Sequence, residues 1–274
     1  MEGSQHSRHD PRLASSRLHA DVERLEAQAA LSWPRELCAL KRIGLRDGTS
    51  ILEVGSGPGF ITRRLLDALP HATVTCVELD ADMVAHARML LSSYPEDRLR
   101  ITEGSITFTN LPSDAFDFAL ARYVFQHLSA PDLAASEILR LLKRGGTLAV
   151  LDVDDDLGGL VSPSLPAFDV VAQRVREAQA RAAGDRKIGR KLWRILSDAG
   201  YESLNLEAVL FHSDEIGLEP FLAQYEPGRY HPFVGPCGLT MDEWERYRQS
   251  YAQLLNTRDA MIVQLLMLAS GSKP

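Results

Sequence analysis

Residues 51–60 read ILEVGSGPGF, an apolar, β-branched run that enters a loop carrying Gly55, Gly57 and Gly59 and then opens a helix. Working outward, TVTCVEL (73–79), LRITEG (99–104), FDFALA (116–121) and TLAVLDV (147–153) have the composition of further strands, and helical stretches from Phe60 to Leu69, Ala81 to Leu91 and Asp132 to Leu142 alternate with them. Strands joined by helices need crossover connections, which are right-handed and produce a parallel sheet covered on both faces. YESLNLEAVLFH (201–212) reads as a sixth strand and AMIVQLLMLAS (260–270) as a last one returning antiparallel beside it. The expected fold class is α/β, a doubly wound, Rossmann-like, seven-stranded and mostly parallel sheet with an antiparallel last strand, N-terminal helices and a helical lid.

The domain plan follows from the same pattern. Residues 1–17 are polar and lack periodicity, so they read as a flexible N-terminus. Residues 18–47 read as an N-terminal helical cap, with one helix from Asp21 and a second opened by Pro34 that stops near Gly44. Residues 48–212 and 257–274 make the Rossmann-like domain, interrupted by a helical insertion at about 158–184. Residues 213–256, with the helical stretch MDEWERYRQSYAQLL, make a lid that joins the last two strands.

Composition narrows the function. At 274 residues, 45% hydrophobic and 24% charged, the chain is an ordinary packed globule. A net charge of -7 offers no footprint for a nucleic-acid backbone or an anionic membrane. Cys38, Cys76 and Cys237 form neither a disulfide framework nor a zinc spacing, which fits a reducing cytoplasm. The amino terminus lacks an apolar signal-peptide core, and MIVQLLMLA is too short for a membrane span and is broken by Gln264. A cytoplasmic protein with a small-molecule partner is expected, with no nucleic acid, membrane or metal.

In an open parallel sheet, ligands bind beyond the carboxyl ends of the strands, at the switch point that the first strand borders. Glu78 ends the second strand 19 residues after Gly59, where a carboxylate accepts from both hydroxyls of a ribose. The loop is Gly-x-Gly-x-Gly, not Gly-x-Gly-x-x-Gly, and Glu53 precedes it. A carboxylate there repels a pyrophosphate and favours a ligand bearing an ammonium and a sulfonium. That combination points to S-adenosylmethionine rather than a nicotinamide dinucleotide; an NAD(P)-dependent oxidoreductase and a non-catalytic cofactor-binding protein are the alternatives.

LEVGSGPG, VTCVELDADMV, ITEGSI, LPSDAFDFALARYVFQHL and LLKRGGTLAVLDVD together resemble the class I S-adenosylmethionine-dependent methyltransferases, especially the branch acting on small molecules in quinone and natural-product biosynthesis. The resemblance covers roughly residues 35–155. It implies that Gly55, Ser56 and Gly57, with Gly59 closing the loop, pass under the methionine part and ribose, and that Glu78 holds the ribose hydroxyls. Leu79 would pack on adenine, with Gly104, Ser105 and Ile106 on its other side; Ser105 stands where the family commonly has an aspartate. Ala121 and Arg122 match the segment whose backbone meets the methionine ammonium, and Gln28 is the candidate for its carboxylate.

On the acceptor side, His127 in VFQHL and His212 in LFHSDE are candidate general bases, since a neutral imidazole accepts a proton near working pH. Each reads equally as a packing residue. In the DVDDD run, Asp152 and Asp154 orient a substrate amine or hydroxyl, hold a divalent cation as clustered carboxylates can, or belong to a solvated loop. Tyr225, Arg229 and Tyr230 of the lid line an acceptor pocket, or belong to the lid's own core or a homodimer contact. The expected reaction is methyl transfer to a small molecule, at oxygen first, then nitrogen, then carbon. ARYVF after the fourth strand, in place of an Asn-Pro-Pro-Tyr-like signature, argues against methylation of a nucleic-acid base.

Overall fold

The computed structural model describes the backbone of residues 11–274 and the side chains from Val22 onward. The first ten residues of the expected flexible terminus lie outside the described residues. Five parallel strands, β1 (Ser50–Val54), β2 (Thr73–Glu78), β3 (Leu99–Glu103), β4 (Phe116–Arg122) and β5 (Leu142–Asp152), stand in the spatial order β3-β2-β1-β4-β5. Ile51 and Leu52 enter opposite core clusters, as expected of a central strand buried on both faces. The helices α2 (Phe60–Ala68), α3 (Ala81–Leu90) and α4 (Pro131–Leu141) supply the crossovers.

The far side of the sheet is richer than the sequence pattern. A long strand, β8 (Met261–Ser272), runs antiparallel to β5 through its later half and to β7 (Glu202–His212) along its other edge. The start of β8 outruns β5 and pairs with a short eighth strand, β6 (Gly159–Ser162), at the start of the stretch that the sequence pattern assigns to a helical insertion. The unpaired backbone of β8 needs hydrogen-bond partners, and Gly159 is what admits them: a Cβ there would meet the carbonyl oxygen of Val263 at 2.0 Å.

At the N-terminus, α1 (Pro11–Arg42) is one helix, not two, and begins ahead of Asp21. Pro34 cannot donate to the carbonyl of Ala30, but both residues face outward, so water can satisfy that carbonyl while Leu31, Trp33 and Leu40 bury the inner face. Its end is where the glycine signal put it. Gly44 has φ +115°, Leu45 N donates to Leu40 O and Gly44 N to Lys41 O, the paired bonds of a Schellman cap.

Beyond β6 come α5 (Pro166–Arg181), a tight turn at Ile188–Lys191, and α6 (Leu192–Asp198). Between β7 and β8 the chain forms α7 (Ser213–Ile216), α8 (Glu219–Tyr225), two short turns, and α9 (Met241–Leu255), which opens with a Thr240/Glu243 capping box. This segment packs by aromatic contact: Phe168 of α5 stacks on Tyr225 at 5.4 Å and on Tyr247 of α9 at 4.5 Å. Buried rings of this kind contribute roughly 1.5–3 kcal/mol each from apolar area alone, enough to hold α5, α8 and α9 as one wall.

Candidate active site

A cavity of about 1380 Å³ opens at the carboxyl ends of β1, β4 and β5, between α1, α5 and the chain that joins β7 to β8. Its floor is the glycine loop. Gly55 has φ +65°, and a Cβ there would strike Val124 at 2.4 Å; Gly57 has φ +54° and faces open space. The loop is held by Glu78, whose Oε2 accepts from Gly57 N at 2.8 Å while Oε1 accepts from the backbone of Leu79 and Asp80. Leu79 is 71% exposed beyond β2, and Gly104 N donates to the Glu78 carbonyl, so Leu79 and the Gly104–Ile106 turn share one shelf beside the cavity. The Ser105 hydroxyl there is engaged with that of Thr107 at 2.8 Å.

Glu53 is buried at the inner end of the cavity, where Thr62 donates to it at 2.7 Å. Burial pushes its carboxyl up to about 7, with the Thr62 hydroxyl and Arg122 pulling the other way. Arg122 is itself buried: its guanidinium grips Glu36 of α1 through bonds of 2.7 and 2.9 Å and donates to Ser32 Oγ and Gln28 O. It also lies over the ring of Tyr123 at 4.7 Å. Tyr123 adopts φ +57° where β4 ends, a conformation uncommon outside glycine; of the five non-glycine residues with positive φ among the described residues, it is the one that lines the cavity.

His127 sits on the turn after β4 and lines the cavity. Burial first, and then the positive charges of Arg186 and Arg24, lower its pKa, so the ring stays neutral at working pH. Its Nδ1 lies 3.5 Å from Gln179 Nε2. Arg186 is fixed by two bonds to Asp155, of 2.6 and 2.8 Å, and by one to Gln126 Oε1.

Of the residues singled out in the sequence, Gln28, Glu53, Gly55, Ser56, Gly57, Arg122, His127, Tyr225, Arg229 and Tyr230 line this one cavity. Others stand elsewhere, and the corrections have simple causes. Gly59 is needed for packing, since a Cβ there would touch Leu91 and Ala87 of the α3 region at 3.0 and 3.2 Å. The Ala121 side chain is buried in the opposite core cluster, because alternate residues of a strand face opposite sides; the contact expected of Ala121 is through its backbone, which this burial does not touch. The same alternation sends Phe211 into the cavity and takes His212 out of it. Asp152 is fully buried and accepts from Gln126 N and Val153 N, which braces the turn that carries His127. Asp154 is likewise buried in a two-bond pair with Arg190. The acid of that run that reaches the cavity is Asp155.

Sequence reasoning missed Glu36, Tyr123, Gln126, Arg176, Arg186 and Gln224. Ser32 and Glu36 carried a readable signal, being polar residues one helical turn apart on the stripe that contains Ala29 and Leu40.

Comparison with known proteins now identifies the sheet and its loop. A family model described as a methyltransferase domain matches residues 52–150, from β1 through β5. Residues 52–150 form a class I S-adenosylmethionine-dependent methyltransferase domain. A malonyl-acyl-carrier-protein O-methyltransferase of a Paenibacillus species is 32% identical to the chain over 133 residues, which is 48% of this chain and 47% of that protein. The ubiquinone/menaquinone biosynthesis C-methyltransferase UbiE of Saccharophagus degradans is 22% identical over 196 residues, 70% of this chain and 73% of that protein. The chain spans about half the length of most of the curated relatives it matches. Among solved structures, phosphoethanolamine N-methyltransferase 2 of Haemonchus contortus in complex with S-adenosyl-L-methionine superposes with a TM-score of 0.56 at 19% identity, over 88% of this chain and 53% of that one. At such identity the likeness concerns the fold.

The methyltransferase domain presents groups that fit this cofactor. Ser56 Oγ is buried on the cavity wall without a hydrogen-bond partner among the described residues. The Cα face of Gly57 is open although its N–H is bonded to Glu78, and the buried Glu53 carboxyl lies where a cation would stabilise its ionised form. Among the described residues no group of His, Cys, Asp and Glu is arranged to hold a metal, and no helix is long and apolar enough to cross a membrane.

Proposed function

We propose that the chain transfers a methyl group from S-adenosylmethionine to a small-molecule acceptor, at oxygen first, with nitrogen next and carbon third. One observation carries the reading: the imidazole of His127, whose lowered pKa favours the neutral ring, and the cofactor loop face the same cavity. The cofactor supplies an electrophilic methyl on a sulfonium, so the protein's largest contribution is alignment. In this reading Gly55, Ser56 and Gly57 seat the methionine part, Glu53 balances its positive charge, and Glu78 turns from the Gly57 amide toward the ribose. Leu79, Gly104, Ser105 and Ile106 form the adenine shelf. Arg122 works at a distance from the chemistry, clamping α1 over the site through Glu36. His127 takes the acceptor's proton, and the 213–256 segment acts as the lid that excludes water.

Calorimetry with S-adenosylhomocysteine tests the reading, with Kd on the order of micromolar expected. Heat from a nicotinamide dinucleotide and none from S-adenosylhomocysteine would overturn it.

A further inference from the structure

The acceptor end of the cavity holds charges that cofactor binding does not use. Arg176 of α5 and Arg229, just after α8, both line it. The ion-pair contact of Arg176 is Asp155 at 3.8 Å, beyond hydrogen-bond reach, and that carboxylate is already taken by the two short bonds from Arg186. Arg229 spends Nη1 on the carbonyl of Gln224 at 2.9 Å and rests over the ring of Tyr230 at 5.4 Å. Among the described residues its Nε and Nη2 make no hydrogen bond. Two half-buried guanidinium groups are therefore held in place with donors to spare.

The acids on the walls do not cancel them. Asp155 is neutralised by Arg186, Glu23 and Asp169 are exposed to water and salt, and the exposed Glu226 turns its carboxylate to the Arg229 backbone N–H at 3.2 Å. Glu53 lies at the other end, beside the glycine loop. A further signal is independent of charge. Gln224 is 5% exposed, and its Oε1 is buried with no donor in reach among the described residues, although the residue lines the cavity. A buried carbonyl left without a donor costs about 1–3 kcal/mol, so a ligand that supplies an N–H or O–H there is favoured.

We infer that the methyl acceptor is an organic carboxylate that also carries a hydroxyl or amino group, its anionic end received by Arg176 and Arg229 and its donor by Gln224. This rests on the methyl-transfer reading above. Planar guanidinium groups match a carboxylate with paired, charge-assisted bonds, which an amide or ester cannot return. The site as a whole then sorts its two ligands by sign, a cation beside Glu53 and an anion beside the arginines.

The test uses the full chain saturated with S-adenosylhomocysteine and three matched pairs of probes: 4-hydroxybenzoate, 4-hydroxycinnamate and 2-hydroxyhexanoate, each against its own primary amide. Dissociation constants are read by ligand-observed NMR. The acids should bind about tenfold or more tightly than their amides, and the preference should shrink to about twofold in Arg176→Gln/Arg229→Gln. Both side chains are partly exposed, and Arg176→Gln alone serves if the double variant melts early. Gln224→Leu should weaken acid and amide alike. Amides binding as well as acids, an acid preference that survives the arginine variants, or no acid binding up to millimolar concentration overturns the inference while leaving methyl transfer standing. Failure of S-adenosylhomocysteine to bind at the outset overturns the methyl-transfer reading itself.

Discussion

Glu53 has one hydroxyl donor, Thr62, and a burial that favours the proton on its carboxyl. Its pKa is raised in the folded protein from 4.5 to about 7, so the stability it contributes is complete below pH 4.5 and is lost as pH rises through 7. That loss amounts to roughly 3 kcal/mol, since one pKa unit is worth about 1.4 kcal/mol. A cationic ligand reverses the balance by favouring the ionised form. The affinity for S-adenosylmethionine should therefore rise between pH 6 and 8 and flatten in Glu53→Gln; calorimetry across that range checks it, and parallel profiles for the two proteins would remove Glu53 from the site. His127→Ala should lower turnover about 100-fold or more while leaving the Kd for S-adenosylhomocysteine within about twofold, as expected for a general base. In the unmutated protein the acidic limb of the rate profile should fall below pH 6.5, because burial and two arginines depress the ring.

Between elements, the dominant tie is the clamp from β4 to α1. Arg122 and Glu36 are buried together, and removing one partner leaves the other charged in the interior, a loss of about 3–5 kcal/mol. Arg122→Met should lower the urea midpoint accordingly, and limited proteolysis should cut α1 first; replacing both partners, Glu36→Gln with Arg122→Met, should restore much of the loss. Proteolysis that begins in β7 or α9 would show that α1 is held by other means. This clamp also marks where sequence reading stops. The strands β1 to β5 were legible because each is a short apolar run between turn signals, and the cofactor loop because its glycines and Glu53 are contiguous. The partner of Arg122 is 86 residues away, and no local pattern links them. Asp152, Asp154 and Asp155 look alike in sequence, yet the strand's alternation and the arginines at 186 and 190, which reach back to the run, send only the last of them to the cavity. Likewise, β6 exists because β8 is long, a fact fixed more than a hundred residues downstream.

At the scale of the whole molecule, the floor and the far wall of the cavity come from different parts of the chain. The floor is the sheet from β1 to β5, and the wall is α5 with everything between β7 and β8. His212 pairs with Val263 and Phe211 with Gln264, so the two ends of the intervening chain leave the sheet side by side. Replacing residues 215–259 with a short Asn-Gly turn should preserve the far-ultraviolet signature of the sheet and bind S-adenosylhomocysteine within about tenfold of the parent, while acceptor-dependent turnover disappears. Collapse of the shortened chain would mean that Phe221, Tyr247 and Leu254 are indispensable to the core cluster they share with the sheet. The adjacency of those two exits has a longer reach. A protein whose recognition surface is spliced into one tight bend can trade that surface for another of almost any size, provided both cut ends still arrive a hairpin's width apart. The scaffold would remain a constant engine while its clientele changes, and the bend between the last two strands is the place to attempt that exchange by design.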